Sequence, residues 1–161
     1  MKSRKNSSND SHNKKYRLLD HTADLRIEVF GEGREGLFVS AGEAMADLLV
    51  GIDRLGKGVA TRHEVSAFGD TIEELLVDWL RELLYIFNVR GIVLFRFESV
   101  ELTEKGVKAV CIGEKFDVER NGIKTEIKAV TYHGLEIKTD GVDGREDGKD
   151  GRYRAAIIFD V

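Results

Sequence analysis

The sequence predicts an α+β domain, one mainly antiparallel sheet of about six strands with two helices packed on it. Three observations carry that prediction. Apolar residues alternate at period two in several separate runs, and two other segments switch to helical spacing. The strand-like runs late in the chain follow one another as hairpins do, without the intervening helices of a parallel sheet. A chain of 161 residues is the length of one domain.

Structure is expected to begin near Tyr16. Leu25–Phe30 alternates, with Leu25, Ile27 and Val29 on one face and Arg26 and Glu28 on the other, as a half-buried strand does. Leu37, Phe38, Ala41, Met45, Leu48 and Leu49 then recur at helical spacing, and Gly51 follows as a C-cap. Val59–Phe68 reads as the next strand, with Val59, Thr61, His63, Val65 and Ala67 sharing a face. Asp70-Thr71-Ile72-Glu73 has capping-box spacing with Asp70 in the cap position. Behind it an apolar stripe from Ile72 to Phe87 marks a long amphipathic helix, punctuated by Asn88 and Gly91. Ile92–Thr103 and Val107–Lys115 form a hairpin across Glu104-Lys105-Gly106, and a change of apolar face between Phe97 and Val100 points to a bulge near Ser99. Ile127–Ile137 alternates again, with Ile127, Ala129, Thr131, His133 and Leu135 opposite Lys128, Val130 and Tyr132. The last strand, Tyr153–Val161, sets Ala156, Ile158 and Asp160 against Tyr153, Ala155, Ile157 and Phe159.

Composition narrows the function classes. The chain is 42% hydrophobic and 34% charged, which excludes collagen-like and disordered chains, and no apolar run approaches a membrane span. A net charge of −4 argues against a dedicated nucleic-acid binder. The single cysteine, Cys111, excludes a disulfide framework and reads as a small buried hydrophobe. With no N-terminal apolar leader in view, the expected compartment is the cytosol. Residues 1–15 hold no hydrophobic side chain after Met1 and read as a disordered arm, leaving 16–161 as the domain.

Four groups could carry chemistry. Asp20-His21-Thr22-Ala23-Asp24 offers two carboxylates and an imidazole for a hard cation or a proton transfer, or merely caps and turns the chain. The loop 140–151 is acidic, but ligand positions counted from Asp140 or Asp143 fall on Val142, Gly144 and Arg145, so a solvated Gly/Asp loop is expected. Lys128 could donate to phosphate if it faced a cleft, and His133 falls on the apolar side, where a hydrogen-bonded core histidine is usual. Asp160, next to the terminal carboxylate of Val161, ends an apolar strand and needs water, a cation or a donor. Gly31–Gly36 spells G-x-G-x-x-G, but without a repeated βαβ context it reads as a connecting loop.

Taken together, Asp20-His21-Thr22-Ala23-Asp24-Leu25, Ile127-Lys128-Ala129-Val130-Thr131-Tyr132-His133 and Phe159-Asp160-Val161 resemble the archease family, in order and over about residues 16–161. The resemblance implies a compact α+β fold and an accessory protein, not a stand-alone enzyme. Archeases activate the GTP- and manganese-dependent RNA ligase that joins tRNA exon halves, promoting its guanylylation and its multiple turnover. It also implies a divalent cation, seen as calcium in the family with Mg or Mn as cellular alternatives, held by Asp24, Asp160 and Val161. Lys128 takes the place of a lysine the family needs for activation, and Asp20 and His21 become supporting residues. The implied partner is the ligase, with any contact to tRNA or GTP indirect, and neither a membrane nor DNA is expected. Two other readings stand beside it. A metal-dependent phosphoesterase would use Asp24 and Asp160 as ligands and Lys128 against developing charge. A chaperone-like module would bind unfolded clients promiscuously, indifferent to Asp24 and Asp160.

Overall fold

The computed structural model describes residues 15–19, 24–140 and 151–161. The expected arm up to residue 14, the 20–23 segment with Asp20 and His21, and the acidic loop over 141–150 lie outside the described residues. In chain order the strands are β1 (Tyr16–Leu19), β2 (Leu25–Glu32), β3 (Thr61–Phe68), β4 (Ile92–Leu102), β5 (Gly106–Lys115), β6 (Ala129–Asp140) and β7 (Arg152–Asp160). Helix α1 (Gly33–Leu49) follows β2 and helix α2 (Ile72–Tyr85) follows β3.

The α+β class and the two helices are as expected, and all strand pairing is antiparallel. The seven strands, however, form two sheets, β1-β2-β7-β6 and β3-β5-β4. The division follows from α1. Its apolar stripe packs on β2, while the opposite side is built of small residues, with Gly42, Ala44 and Ala46 also buried. A Cβ added to Gly42 would lie 2.5 Å from the Phe97 ring of β4, so only glycine lets the second sheet approach. A helix apolar nearly all round is a buried helix, and α1 is held between the sheets. The extra strand, β1, is only four residues long and its burial does not alternate. It is held by pairing with β2 and by the Tyr16 hydroxyl, which donates to Asp47 of α1.

Other details moved by small amounts. Gly31–Gly36 is no connecting loop: Gly31 and Glu32 end β2 and Gly33 starts α1. Gly31 is there for packing, since a Cβ would sit 2.2 Å from the Leu37 backbone nitrogen. The cap of α2 is Thr71, one residue beyond Asp70. Thr71 Oγ1 accepts from the Glu74 amide at 3.2 Å, and the Glu74 carboxylate takes the Asp70 N–H at 3.0 Å. The β4–β5 register slips between Phe97 and Ser99, as the apolar pattern implied, and again between Leu94 and Arg96. β3 starts at Thr61, so Val59 is not on its inner face but stands 84% exposed in the preceding loop. Core residues come from every layer: Ile27 and Val29, Leu37 and Phe38, Leu76 and Trp79, Ile157 and Phe159. The Trp79 indole N–H, fully buried, donates to the Phe38 carbonyl at 3.1 Å.

Candidate functional site

Strand β7 lies in the middle of its sheet, between β2 and β6, and its last residues are therefore flanked on both sides. In the β2–β7 register Leu25 faces Phe159, which sets Asp24, one residue earlier, level with Asp160, one residue later. On the other side Ala129 faces Asp160, and the Lys128 amide donates to the Asp160 carbonyl at 2.7 Å. Three segments far apart in sequence thus bring Asp24, Lys128, Asp160 and the C-terminal Val161 to one end of one sheet.

The local sequence explains the placement. Ile127, Val130 and Phe159 are buried and fasten the strand ends to the core, while Asp24, Lys128, Asp160 and Val161 are exposed between and beside them. Arg81 of α2 donates through Nε to the Val130 carbonyl at 3.1 Å and fixes the start of β6. No ion-pair partner is found for Asp24 or Asp160 among the described residues. Asp24 and Asp160 therefore stand as paired hard oxygen groups at neighbouring strand ends. No cluster of three or more His, Cys, Asp or Glu side chains occurs among the described residues. The sheet face behind this end is different in kind. There Arg17 and Arg154 flank Glu28 at 2.7 and 3.8 Å, and Lys138 meets Glu136 at 3.5 Å.

His133 does not take the core position expected for it. The β6–β7 register breaks between Thr131 and Glu136, and His133 is exposed in that bulge, its amide donating to Thr131 Oγ1 at 3.1 Å. The face of early β6 is also the reverse of the expected one, with Val130 buried and Ala129 exposed. Cys111 is fully buried, and burial pushes its thiol up to about 12.

A second arrangement, at an end of the three-stranded sheet, was not visible in the sequence pattern. Glu114, the penultimate residue of β5, is fully buried. Its Oε2 accepts the Gly56 and Gly58 amides at 3.1 and 3.0 Å, and its Oε1 accepts Asn121 Nδ2 at 3.2 Å. Asn121 Nδ2 also donates to the Arg54 carbonyl at 2.9 Å, and Arg54 Nη1 donates to the Asn121 carbonyl at 3.2 Å. Asp117 closes the turn, and the Arg120 amide, with that of Glu119, holds its carboxyl below the usual carboxylate range against a smaller opposing desolvation. The loops 51–60 and 116–123 are thereby knotted together around one carboxylate.

Residues 16–161 match the model of the Archease protein family (MTH1598/TM1083). The chain belongs to the archease family. Protein archease of Methanosarcina mazei is 36% identical to it over 155 residues, covering 94% of this chain and 99% of that protein. Protein archease of Pyrococcus abyssi is 36% identical over 151 residues, covering 92% and 99%. The archease-like protein of Drosophila melanogaster is 30% identical over 152 residues, covering 91% and 90%. Among solved structures, the solution structure of Methanobacterium thermoautotrophicum protein 1598 superposes with a TM-score of 0.64 at 26% identity, covering 92% of this chain and 99% of that one. The archease fold is therefore the fold described above, and the three motifs that suggested the family lie together at one end of its four-stranded sheet. Among the described residues of this archease no helix is long and apolar enough to cross a membrane.

Proposed function

We propose that this archease is a non-catalytic activator of the GTP-dependent tRNA-splicing RNA ligase, promoting its guanylylation and multiple turnover in the cytosol. The observation that carries the reading is the register that sets Asp24 against Asp160 with Lys128 beside them. Asp24, Asp160 and the Val161 carboxylate fit a divalent cation: they are hard oxygen donors, exposed, and without a cation partner among the described residues. Such a cation supplies positive charge at a tip that is otherwise anionic. Few protein donors leave coordination positions open, which suits a site shared with a partner. Lys128 adds a flexible point charge for a phosphate of the nucleotide pocket it meets. Calcium, magnesium and manganese all match this donor chemistry.

RNA joining by the cognate ligase, at high RNA excess with GTP and manganese, tests the proposal with and without this protein. Wild type should convert a ligase that stalls after one turnover into one that continues, and Asp160→Ala should not. Stimulation by both would keep the activity and remove the site assignment. Stimulation by neither, with a competent ligase, would sink the activator reading. Hydrolysis of model phosphoesters by the pure protein, lost in Asp160→Ala, would replace it with the phosphoesterase.

A further inference from the structure

Lys128 is directed by its backbone alone. Its side chain is exposed and makes no hydrogen bond or ion pair among the described residues. The chain that carries it is thinly held. Residues 116–128 run through turns and irregular chain before β6 begins. β6 then pairs with β7 at Ala129, Val130 and Thr131, against Asp160, Phe159 and Ile158, and the register breaks from there to Glu136. β6 is also an edge strand, so β7 is its one neighbour in the sheet. A segment with so few bonds opens more easily than the core does.

One side chain reaches this segment from outside the sheet. Arg81 Nε donates to the Val130 carbonyl at 3.1 Å, the one side-chain hydrogen bond between α2 and β6 among the described residues. From the other side the Lys128 N–H donates to the Asp160 carbonyl at 2.7 Å. Residues 128–130 are therefore clamped between α2 and the end of β7. Val130 is two residues from Lys128, at most about 7 Å along the chain, and it is 1% exposed. A carbonyl left there without its donor costs free energy, and the cost falls on this short segment. The other contact of Arg81 is weak. Its Nη1 lies 3.6 Å from Asp78 Oδ1, with the two side chains 53% and 45% exposed, and such a surface pair contributes little.

We infer that Arg81 is a positioning residue for the candidate site: by holding the Val130 carbonyl it fixes the backbone from which Lys128 projects and against which Asp160 is bonded. The inference rests on the activator reading above and adds to it a residue of α2 that acts through Lys128. Lysine is a point charge on a flexible stem, so its aim depends on where its backbone stands. A misplacement of about 1 Å can cost on the order of a hundredfold in the reaction served.

Full-length Arg81→Met and Arg81→Gln form a matched pair for the test. Arginine, methionine and glutamine are similar helix formers, so α2 should be unaffected. Counted along the side chain, glutamine Nε2 falls where arginine Nε stands, and methionine puts a methyl group there. Gln keeps the donor, Met removes it, and both remove the charge. The readouts are exchange of the Lys128 amide, by NMR, and maximal stimulation of RNA joining by the cognate ligase.

In Arg81→Met the Lys128 amide should exchange at least about fivefold faster, and maximal stimulation should fall at least about tenfold. The protein concentration giving half-maximal stimulation should stay at the wild-type value. Arg81→Gln should restore both readouts. Stimulation lost while the Lys128 amide stays protected would overturn the inference, because the guanidinium charge would then act on the partner directly. Stimulation kept while that amide opens, or wild-type exchange in Arg81→Met, would overturn it as well. Arg81→Ala also removes the donor and replaces Arg81→Met should the latter lose its fold. Failure of wild type to stimulate a competent ligase would remove the activator reading, and exchange at Lys128 in the two variants would still decide whether Arg81 holds the segment.

Discussion

Replacing Glu114 by glutamine changes one oxygen to an NH2 and little else in size. The consequence can be worked from the hydrogen bonds. Glu114 accepts three bonds, two at Oε2 from the Gly56 and Gly58 amides and one at Oε1 from Asn121 Nδ2. Asn121 cannot turn its amide over to accommodate the change, because its Oδ1 accepts the Asp117 N–H at 2.8 Å and its Nδ2 donates to the Arg54 carbonyl. The new NH2 must therefore face either one donor or two. In the better orientation it faces Asn121, and one buried pair is lost, a cost of about 1–3 kcal/mol. Removing a buried negative charge works the other way and keeps the net loss near the lower end, about 1–2 kcal/mol. For a chain of this length that corresponds to a Tm lower by about 2–8 °C. Thermal unfolding followed by circular dichroism measures it, and amide exchange at Gly56 and Gly58 reports whether the loss is local. A Glu114→Gln protein as stable as wild type, with both amides still protected, would refute the claim that this carboxylate ties the two loops.

Four further outcomes follow from the same geometry. Gly42→Ala should destabilise the fold although alanine is the better helix former by about 1 kcal/mol, because its Cβ would lie 2.5 Å from the Phe97 ring and relieving that overlap costs about 1–3 kcal/mol; denaturant titration gives the sign. Cys111, with its thiol pushed up to about 12 by burial, should react with a thiol reagent at pH 8 only after unfolding. Tyr16 is raised well above its ordinary value of 10.0, first by burial and then by its hydrogen bond to Asp47 and that residue's charge. The neutral phenol is thus favoured in the folded chain, so its contribution is complete below pH 10.0 and declines as pH rises beyond it; phenolate absorbance should show one of the four tyrosines ionising late, and Tyr16→Phe should flatten that decline. Asp160→Asn, at an exposed strand end, should alter stability by no more than about 0.5 kcal/mol yet weaken calcium binding measured by calorimetry.

What the sequence could and could not disclose follows from the range over which each signal acts. Alternation and helical spacing are local, so α2, β5 and β7 were legible from a dozen residues each. Partition into two sheets was not, because it depends on the side of α1 that carries glycine and alanine, and small residues give no hydropathy signal of a contact. Phase failed at His133 because burial passes from Ile127 to Val130, an odd step that reverses the faces as β6 begins, and the register then breaks after Thr131. The candidate site divides in the same way. Asp24 and Asp160 were found through short motifs, whereas their adjacency is a property of β2–β7 pairing across more than 130 residues of chain. Glu114 shows the limit most clearly. In sequence it is one acid before Lys115 at the end of a strand, indistinguishable from a solvated residue. Its burial comes from two glycine amides and an asparagine that reach it from both sides. In sequence Gly56, Gly58 and Asn121 give no sign that they meet. Only their convergence on one carboxylate shows that the two loops are tied into a single unit.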